Sequence, residues 1–399
     1  MKRSIAWVAG HFDQVGGGER LIQEGIRFYR NEGHRTVVFT WSYDDAVSFD
    51  GRYDPSEVVT ISPSGSGKNT KRALARLFDI PKLRRFFKEY NVDTVFVQSE
   101  YDVALVYLST RFLKIDYKFL IFGQNYQFPE DYGKYTFIFR RHLKRIVNSY
   151  KGYRDTVSLT PPKIRISDRV AMEMLSVIRY LAVRSAQRLF VFSHQVQWET
   201  KLLFGRTPTI ARGAFRREDL GEVRDFVSAL AAYDLVGTKY VLSVCRMAPK
   251  KRLSLVVEAF YRANLADDIV LVLGGDGPER SNLEAQAKGL GIADRVKFLG
   301  RVPDEHLPGL KQAAQVFVSM DIGDYDISPL EALIHKTPIV LPTEFDAEGL
   351  ETTAGVVVCP AEADAVAAVL PGLIGTRSRP SEDLLNSFTW ENYFSDLLK

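Results

Sequence analysis

The sequence predicts an α/β protein built on two parallel sheets, and three observations carry that expectation. Short apolar runs alternate with helical or loop segments through the first half, reading IAWV, TVVFT, DTVFVQ, KFLIF and RLFVFS. After about residue 238 the rhythm restarts with KYVLSV, DIVLVLGG, RVKFLG, AQVFVSM, TPIVLP and GVVV. The chain, at 399 residues, is also too long for one ordinary domain. Strands alternating with helices make parallel sheets joined by crossovers, and the restart makes two of them. The boundary falls within 205–238. Ligands of open α/β sheets collect at the carboxyl ends of the strands, so the cleft between two such domains is the expected site.

The first element is KRSIAWVAG, a short apolar run broken by His11 and Asp13, which reads as a buried strand rather than a signal peptide. The helix LIQEGIRFYRNEG follows, with Leu21, Ile22, Ile26 and Phe28/Tyr29 at helical spacing. Between them stands QVGGGER. Gly16, Gly17 and Gly18 let a ligand approach the main chain, and the free amides of the next helical turn favour anions, phosphate above all. A tight strand-to-helix turn explains the same glycines equally well, and the spacing is not that of dinucleotide binders. Further on, SPSGSGKNT at 62–70 imitates a phosphate loop. It has Ser62 where the first glycine belongs and Asn69 where Ser or Thr belongs, so it reads as a surface loop.

A net charge of +4 hides an asymmetry. Residues 1–205 hold 32 Lys and Arg against 21 Asp and Glu, whereas the rest holds 21 against 28. Two stretches concentrate the excess. Lys68, Lys71, Arg72, Arg76, Lys82, Arg84, Arg85 and Lys88 form one; Lys134, Arg140, Arg141, Lys144, Arg145, Lys151, Arg154, Lys163 and Arg165 form the other. Within the second, FIFRRHLKRIVNSY puts Phe139, Leu143, Ile146, Val147 and Tyr150 on one helical face and the basic residues opposite. Such a helix suits an anionic membrane surface, and a solvated helix packed on a core has the same pattern. No nucleic-acid-binding signature accompanies the charge. Two distant cysteines, Cys245 and Cys359, exclude a disulfide framework and fit a reducing, cytoplasmic setting; no metal-ligand spacing occurs. No run approaches the roughly 18 apolar residues of a membrane span.

Three clusters of the second half point to phosphate and sugar chemistry. In SVCRMAPKKRLSLVVEAF, Arg246 and Lys251 follow the domain's first strand and open its first helix. Arg246 offers a bidentate fork and Lys251 a point charge to a diphosphate, and Lys251 is expected to face solvent. In LVLGGDGPERSNLE a strand ends in Gly274-Gly275, a common β-turn-α connection when taken alone. In SMDIGDYDISPLEALIHKTPIV, Ser328, Pro329 and Glu331 satisfy a capping box with proline at the first helical position, which is a complete structural reason for Glu331.

Taken together and in this order, the clusters resemble the retaining, nucleotide-sugar-dependent glycosyltransferases of family 4, built as two facing Rossmann-like domains (the GT-B fold). The likeness runs from Gly16 to FTWENYF at 388–394 and is stronger in the second half. GGGER is similar to the opening loop of mannosyltransferases that extend lipid-linked oligosaccharides. The resemblance implies an N-terminal acceptor-binding domain over 1–205, joined by the C-terminal helix 386–399, and a donor-binding domain over 206–385. It implies that Gly17 and Gly18 let the backbone approach the donor diphosphate across the cleft, with Glu19 and Arg20 beginning the helix behind. Arg246 and Lys251 match the basic pair that grips the phosphates. Glu331 matches the ribose-binding second glutamate of an E-x7-E signature, near Ser328 and Leu330. Leu299-Gly300-Arg301-Val302 matches the strand end at the nucleobase, and Gly275 lines the donor site.

Two positions depart from the family pattern. Gly323 stands where the first glutamate belongs, with Asp324 adjacent and Asp321 and Asp326 near. Gln124 or Asn125, in FGQNYQFPED, stands where the front domain usually has histidine; His194 is out of register and His11 has no matched role. The expectation is a cytoplasmic enzyme, peripheral on the inner face of the membrane. It needs no cofactor or metal, and it moves a sugar from a nucleotide diphosphate sugar to a lipid-linked or glycan acceptor with Arg246, Lys251, Asp324 and Gln124 in catalytic positions. The alternative is a weak or silent member that binds nucleotide sugar or glycan as a partner subunit.

Overall fold

The computed structural model describes residues 2–12, 17–44, 58–61, 76–121, 142, 145–146, 166–220, 223, 226–321, 325–347 and 349–399. Contacts divide the chain into two compact units, Met1–Ala211 with Phe394–Lys399, and Arg212–Tyr393.

The first unit holds β1 (Ser4–Ala9), α1 (Gly17–Asn31), β2 (Arg35–Thr40), β3 (Val58–Thr60), α2 (Ile80–Glu89), β4 (Thr94–Val97) and α3 (Glu100–Thr110), then β5 (Asp116–Ile121), α4 (Ile166–Ser185), β6 (Arg188–Val191), α5 (His194–Phe204) and β7 (Thr209–Ile210). Its strands pair in parallel in the order β3-β2-β1-β4-β5-β6-β7. Trp7 is in register with Val38 on one side and Phe96 on the other. The central strands are near-continuous apolar runs because both faces are covered, so alternation has no place to show. Helix α1 buries Leu21, Ile22, Gly25, Ile26 and Tyr29. Gly25 is there for space, since a Cβ would lie 2.4 Å from the Trp7 ring.

The second unit continues with α6 (Val227–Ala231), β8 (Lys239–Val244), α7 (Leu253–Arg262), β9 (Ile269–Gly274), α8 (Arg280–Gly289), β10 (Val296–Gly300), α9 (Leu307–Ala313) and β11 (Val316–Val318), followed by α10 (Ile327–Ile334), β12 (Ile339–Pro342), β13 (Val356–Cys359), α11 (Ala363–Leu373), α12 (Glu382–Ser387) and α13 (Trp390–Leu398). The parallel order is β10-β9-β8-β11-β12-β13. Along β8, Val241 joins the apolar cluster built with Val256, Val257 and Leu370, and Tyr240 and Leu242 join that of Leu310, Leu330 and Leu333. The sheet is thus sandwiched between helices, as two alternate faces require.

Helix α13 begins in the second unit and its last residues belong to the first. There Phe394 packs edge-on to Trp7, and the Tyr29 hydroxyl donates to the Phe394 carbonyl at 3.0 Å. Lys118, buried in β5, donates its ammonium to the Leu397 carbonyl in the last turn of α13. Burial first, then the charges of Arg3 and Arg188, bring the Lys118 pKa down to about 8.

Among the expectations, the loop 62–70 and most of the helix 137–150 lie outside the described residues, although Ile146 is buried and Arg145 exposed. No described helix is long and apolar enough to cross a membrane.

Candidate active site

In each sheet the strand order reverses at one point, between β1 and β4 in the first unit and between β8 and β11 in the second. The crevice outside the carboxyl ends of such a strand pair is where open α/β sheets take ligands. The expected residues that fall in the described part follow the carboxyl ends of β8, β9, β10 and β11 in the second unit and of β1 in the first.

In the second unit, β8 ends at Val244 and the chain turns through Cys245 and the exposed Arg246 into a short 3-10 turn, Pro249–Lys251, ahead of α7. The adjacent loops are fastened to one another by backbone bonds. Cys245 N donates to Gly274 O at 3.0 Å, Met247 N to Asp276 O at 2.9 Å and Gly275 N to Gly300 O at 2.7 Å. Gly275 has φ +112°, and a Cβ there would meet Cys245 O at 2.0 Å. Glycine is required at 275 by the approach of the protein's own backbone. Gly300 ends β10 at φ +69°, leaving Arg301 exposed and Val302 half-buried against the core.

Lys251 does not face solvent, contrary to expectation: its side chain is only 16 % exposed. Its ammonium reaches across the switch point to Asp321, just beyond β11, at 2.5 Å. Burial alone works to lower the Lys251 pKa, but the carboxylates of Asp326 and Asp321 outweigh it and raise the pKa above the usual lysine range. The ammonium therefore stays charged at any physiological pH. Burial also raises the Asp321 pKa, an effect the Lys251 charge opposes and Asp326 reinforces. Asp321 Oδ1 is buried with no hydrogen-bond partner among the described residues. Burial above all pushes the neighbouring Cys245 thiol up to about 12, which disfavours the thiolate form.

The capping box is not formed as expected. Asp326, not Ser328, is the N-cap of α10: it accepts from Ser328 N at 3.3 Å, and its other oxygen accepts from Ser319 Oγ at 2.8 Å. Asp wins the position because its carboxylate both accepts the orphan amide and ties α10 to the end of β11. Pro329 falls inside the first turn, and Leu330 is buried in the core with only its backbone available to a ligand. Glu331, one turn further, pairs with Lys311 of α9, which is itself 2 % exposed. The Thr337 hydroxyl donates to the Lys311 carbonyl at 2.6 Å and fixes that strand-helix corner.

In the first unit, α1 begins at Gly17, so Gly17 and Gly18 are its first turn rather than a loop before it, and Glu19 and Arg20 continue that turn. A Cβ on Gly18 would stand 3.3 Å from Gln98 Oε1, just past the end of β4, whereas Gly17 is open. Gln98 Nε2 is buried with no partner among the described residues. Gly16, Gln124, Asn125, Gly323 and Asp324 lie outside the described residues.

Sequence reasoning missed Lys311 and Gln98 and left Asp321 as one acid among several. Lys311 is the single charge in the helix LPGLKQA, a pattern that signals a buried partner.

Two family descriptions match the chain: Glycosyltransferase Family 4 over residues 15–153 and Glycosyl transferases group 1 over residues 234–369. The chain is similar to alpha-monoglucosyldiacylglycerol synthase of Streptococcus pneumoniae, 26% identical over 341 residues, covering 83% of this chain and 68% of that protein. It is also similar to the GDP-mannose-dependent alpha-(1-6)-phosphatidylinositol monomannoside mannosyltransferase of Mycolicibacterium smegmatis, 27% identical over 159 residues, 37% of this chain and 41% of that protein. In fold it is similar to sucrose-phosphate synthase from Thermosynechococcus elongatus, with a TM-score of 0.72 at 15% identity, covering 99% of this chain and 97% of that one. Another similar fold is that of Anabaena HepE in complex with UDP and glucose, with a TM-score of 0.67 at 17% identity, covering 99% and 94%.

Proposed function

Because the chain belongs to the family 4 glycosyltransferases of two-Rossmann-domain (GT-B) fold, we propose that it moves a sugar from a nucleotide diphosphate donor to a lipid-linked or other glycan acceptor with retention of configuration. The observation that carries this reading is the pair Arg246 and Lys251 at the β8/β11 switch point, one exposed and one held charged beside Asp321. A diphosphate placed there meets the exposed Arg246 guanidinium and the Lys251 ammonium that Asp321 holds in place. In this reading Arg301 and Val302 border the nucleobase, Glu331 binds the ribose, and Gly275 with the α10 backbone at Ser328 and Leu330 lines the rest of the donor site. Gly17 and Gly18 offer main-chain amides at the β1/β4 end of the first unit.

The reaction follows from charge. The bond between the sugar C1 and the phosphate oxygen breaks, and negative charge grows on the leaving diphosphate. Arg246 and Lys251 stabilise that charge, a preorganised electrostatic effect that often accounts for most of an enzyme's rate enhancement. The acceptor hydroxyl bonds to C1 on the same face and passes its proton to the departing phosphate, so no protein nucleophile is needed. The two basic residues supply the positive charge, and no resident metal or cofactor takes part in this scheme. The acceptor is presented at the inner, cytoplasmic face of an anionic membrane, in keeping with the basic front half. The similar proteins of known activity are synthases and transferases by name, which does not favour a silent partner subunit.

Incubating the protein with UDP- and GDP-sugars, with and without a diacylglycerol or polyprenyl-phosphate-sugar acceptor, tests the proposal. One donor should release nucleotide faster when its acceptor is present, and the product anomer, read by NMR, should match the donor. Tight donor binding with no transfer to any acceptor would establish the partner-subunit reading instead.

A further inference from the structure

We propose that the outer face of α4 is the surface by which this protein docks on an anionic lipid bilayer. Ile166, Val170, Met174, Val177 and Leu181 are 43 to 83 % exposed. At 3.6 residues per turn they fall within an arc of about 80° and run for about 22 Å along the helix. The opposite side of α4 is already committed, with Ser176, Arg179, Ala182 and Val183 buried. A surface helix ordinarily turns a polar face to solvent, whereas this one leaves a continuous apolar stripe open, as interaction surfaces do.

The C-terminal end of the stripe is fastened to its neighbours. The Tyr117 hydroxyl donates to the Ala182 carbonyl at 2.6 Å, and the Arg206 guanidinium donates to the carbonyls of Arg184, at 3.2 Å, and Ala186. Arg184 in turn donates to the Phe204 carbonyl at 3.0 Å.

Charge selects the occupant. In sequence, Lys163 and Arg165 come just before the stripe, and the exposed Arg184 and Arg188 follow it. The segment 134–165 that leads into α4 carries nine basic residues and one acid. An apolar stripe with basic residues at both ends fits a bilayer whose headgroups are negative and whose acyl boundary is apolar. A second copy of this chain would bring the same positive flanks together. Glu173, half-buried, is the one acid beside the stripe among the residues whose side chains are described.

This inference rests on the reading of a membrane-presented acceptor, and it assigns the contact to α4 rather than to the amphipathic segment 137–150. The test uses the full chain with phosphatidylcholine vesicles, with and without phosphatidylglycerol. Substituting Val170→Glu with Met174→Glu, and separately Val170→Ser with Met174→Ser, should lower vesicle binding at least about tenfold. Melting temperature and nucleotide affinity should stay at wild-type values, because both positions are exposed. A third variant replaces Arg140, Arg141, Lys144 and Arg145 with glutamine. If that variant loses binding while both α4 variants keep it, the α4 assignment is overturned and the membrane reading stands. If the wild-type protein binds neither vesicle type, both fall. Loss of self-association, rather than of vesicle binding, in the α4 variants would make the stripe a contact between copies and overturn the proposal.

Discussion

Lys251→Ala is expected to slow sugar transfer about 30- to 1000-fold, the equivalent of about 2–4 kcal/mol of transition-state stabilisation. The loss should fall on turnover more than on donor affinity, because the charge on the bridging phosphate oxygen grows as the bond to C1 breaks. The structure adds a second effect. Removing the ammonium leaves the Asp321 carboxylate buried beside Asp326, and breaking a buried pair from one side typically costs about 3–5 kcal/mol of stability. The two effects separate in a double variant. Lys251→Met with Asp321→Asn removes both charges, so it should recover most of the melting temperature and none of the turnover. Recovery of turnover along with stability would mean that Lys251 is a structural cation only.

Glu331→Ala should weaken donor binding by at least about tenfold, the scale of one lost hydrogen bond to a charged group. It should also destabilise the second unit, because Lys311, 2 % exposed, would lose its carboxylate partner. Loss of a helix cap plays no part, since Asp326 holds that position. Glu331→Gln with Lys311→Met neutralises the pair at similar volume. If Glu331 binds ribose, this double variant is stable and still binds donor poorly. If Glu331 serves only Lys311, stability and donor affinity return together.

The two-sheet architecture was legible because parallel strands covered on both faces are apolar throughout, and runs such as IAWV and KYVLSV stand out against the helical spacing between them. The place of Arg246, exposed two residues past the end of β8, was legible as well, because it follows the apolar run KYVLSV directly in sequence order. The pairings were not. Lys251 has the look of a surface lysine because its partner Asp321 lies 70 residues away, and no local pattern reports a contact across a switch point. The cap of α10 is hidden for a related reason. Ser-Pro-x-Glu is a good helix start by local rules, but Ser319 holds the Asp326 carboxylate from the neighbouring strand end and moves the start two residues earlier. Gly275 and Gly25 were visible as glycines, while the backbone and ring that demand them came only with the fold.

The central claim is that the second unit grips a nucleoside diphosphate at the β8/β11 switch point, and Arg246 tests it with the least ambiguity because it is exposed. Titrating the full chain with UDP and with GDP by calorimetry, wild type against Arg246→Ala, is the direct measurement. One nucleotide is expected to bind the wild type, and Arg246→Ala to weaken it by about 1.5–3 kcal/mol at an unchanged melting temperature, the worth of a hydrogen bond to a charged phosphate. Equal affinity in the two proteins, or no binding of either nucleotide to a folded wild type, would contradict the claim.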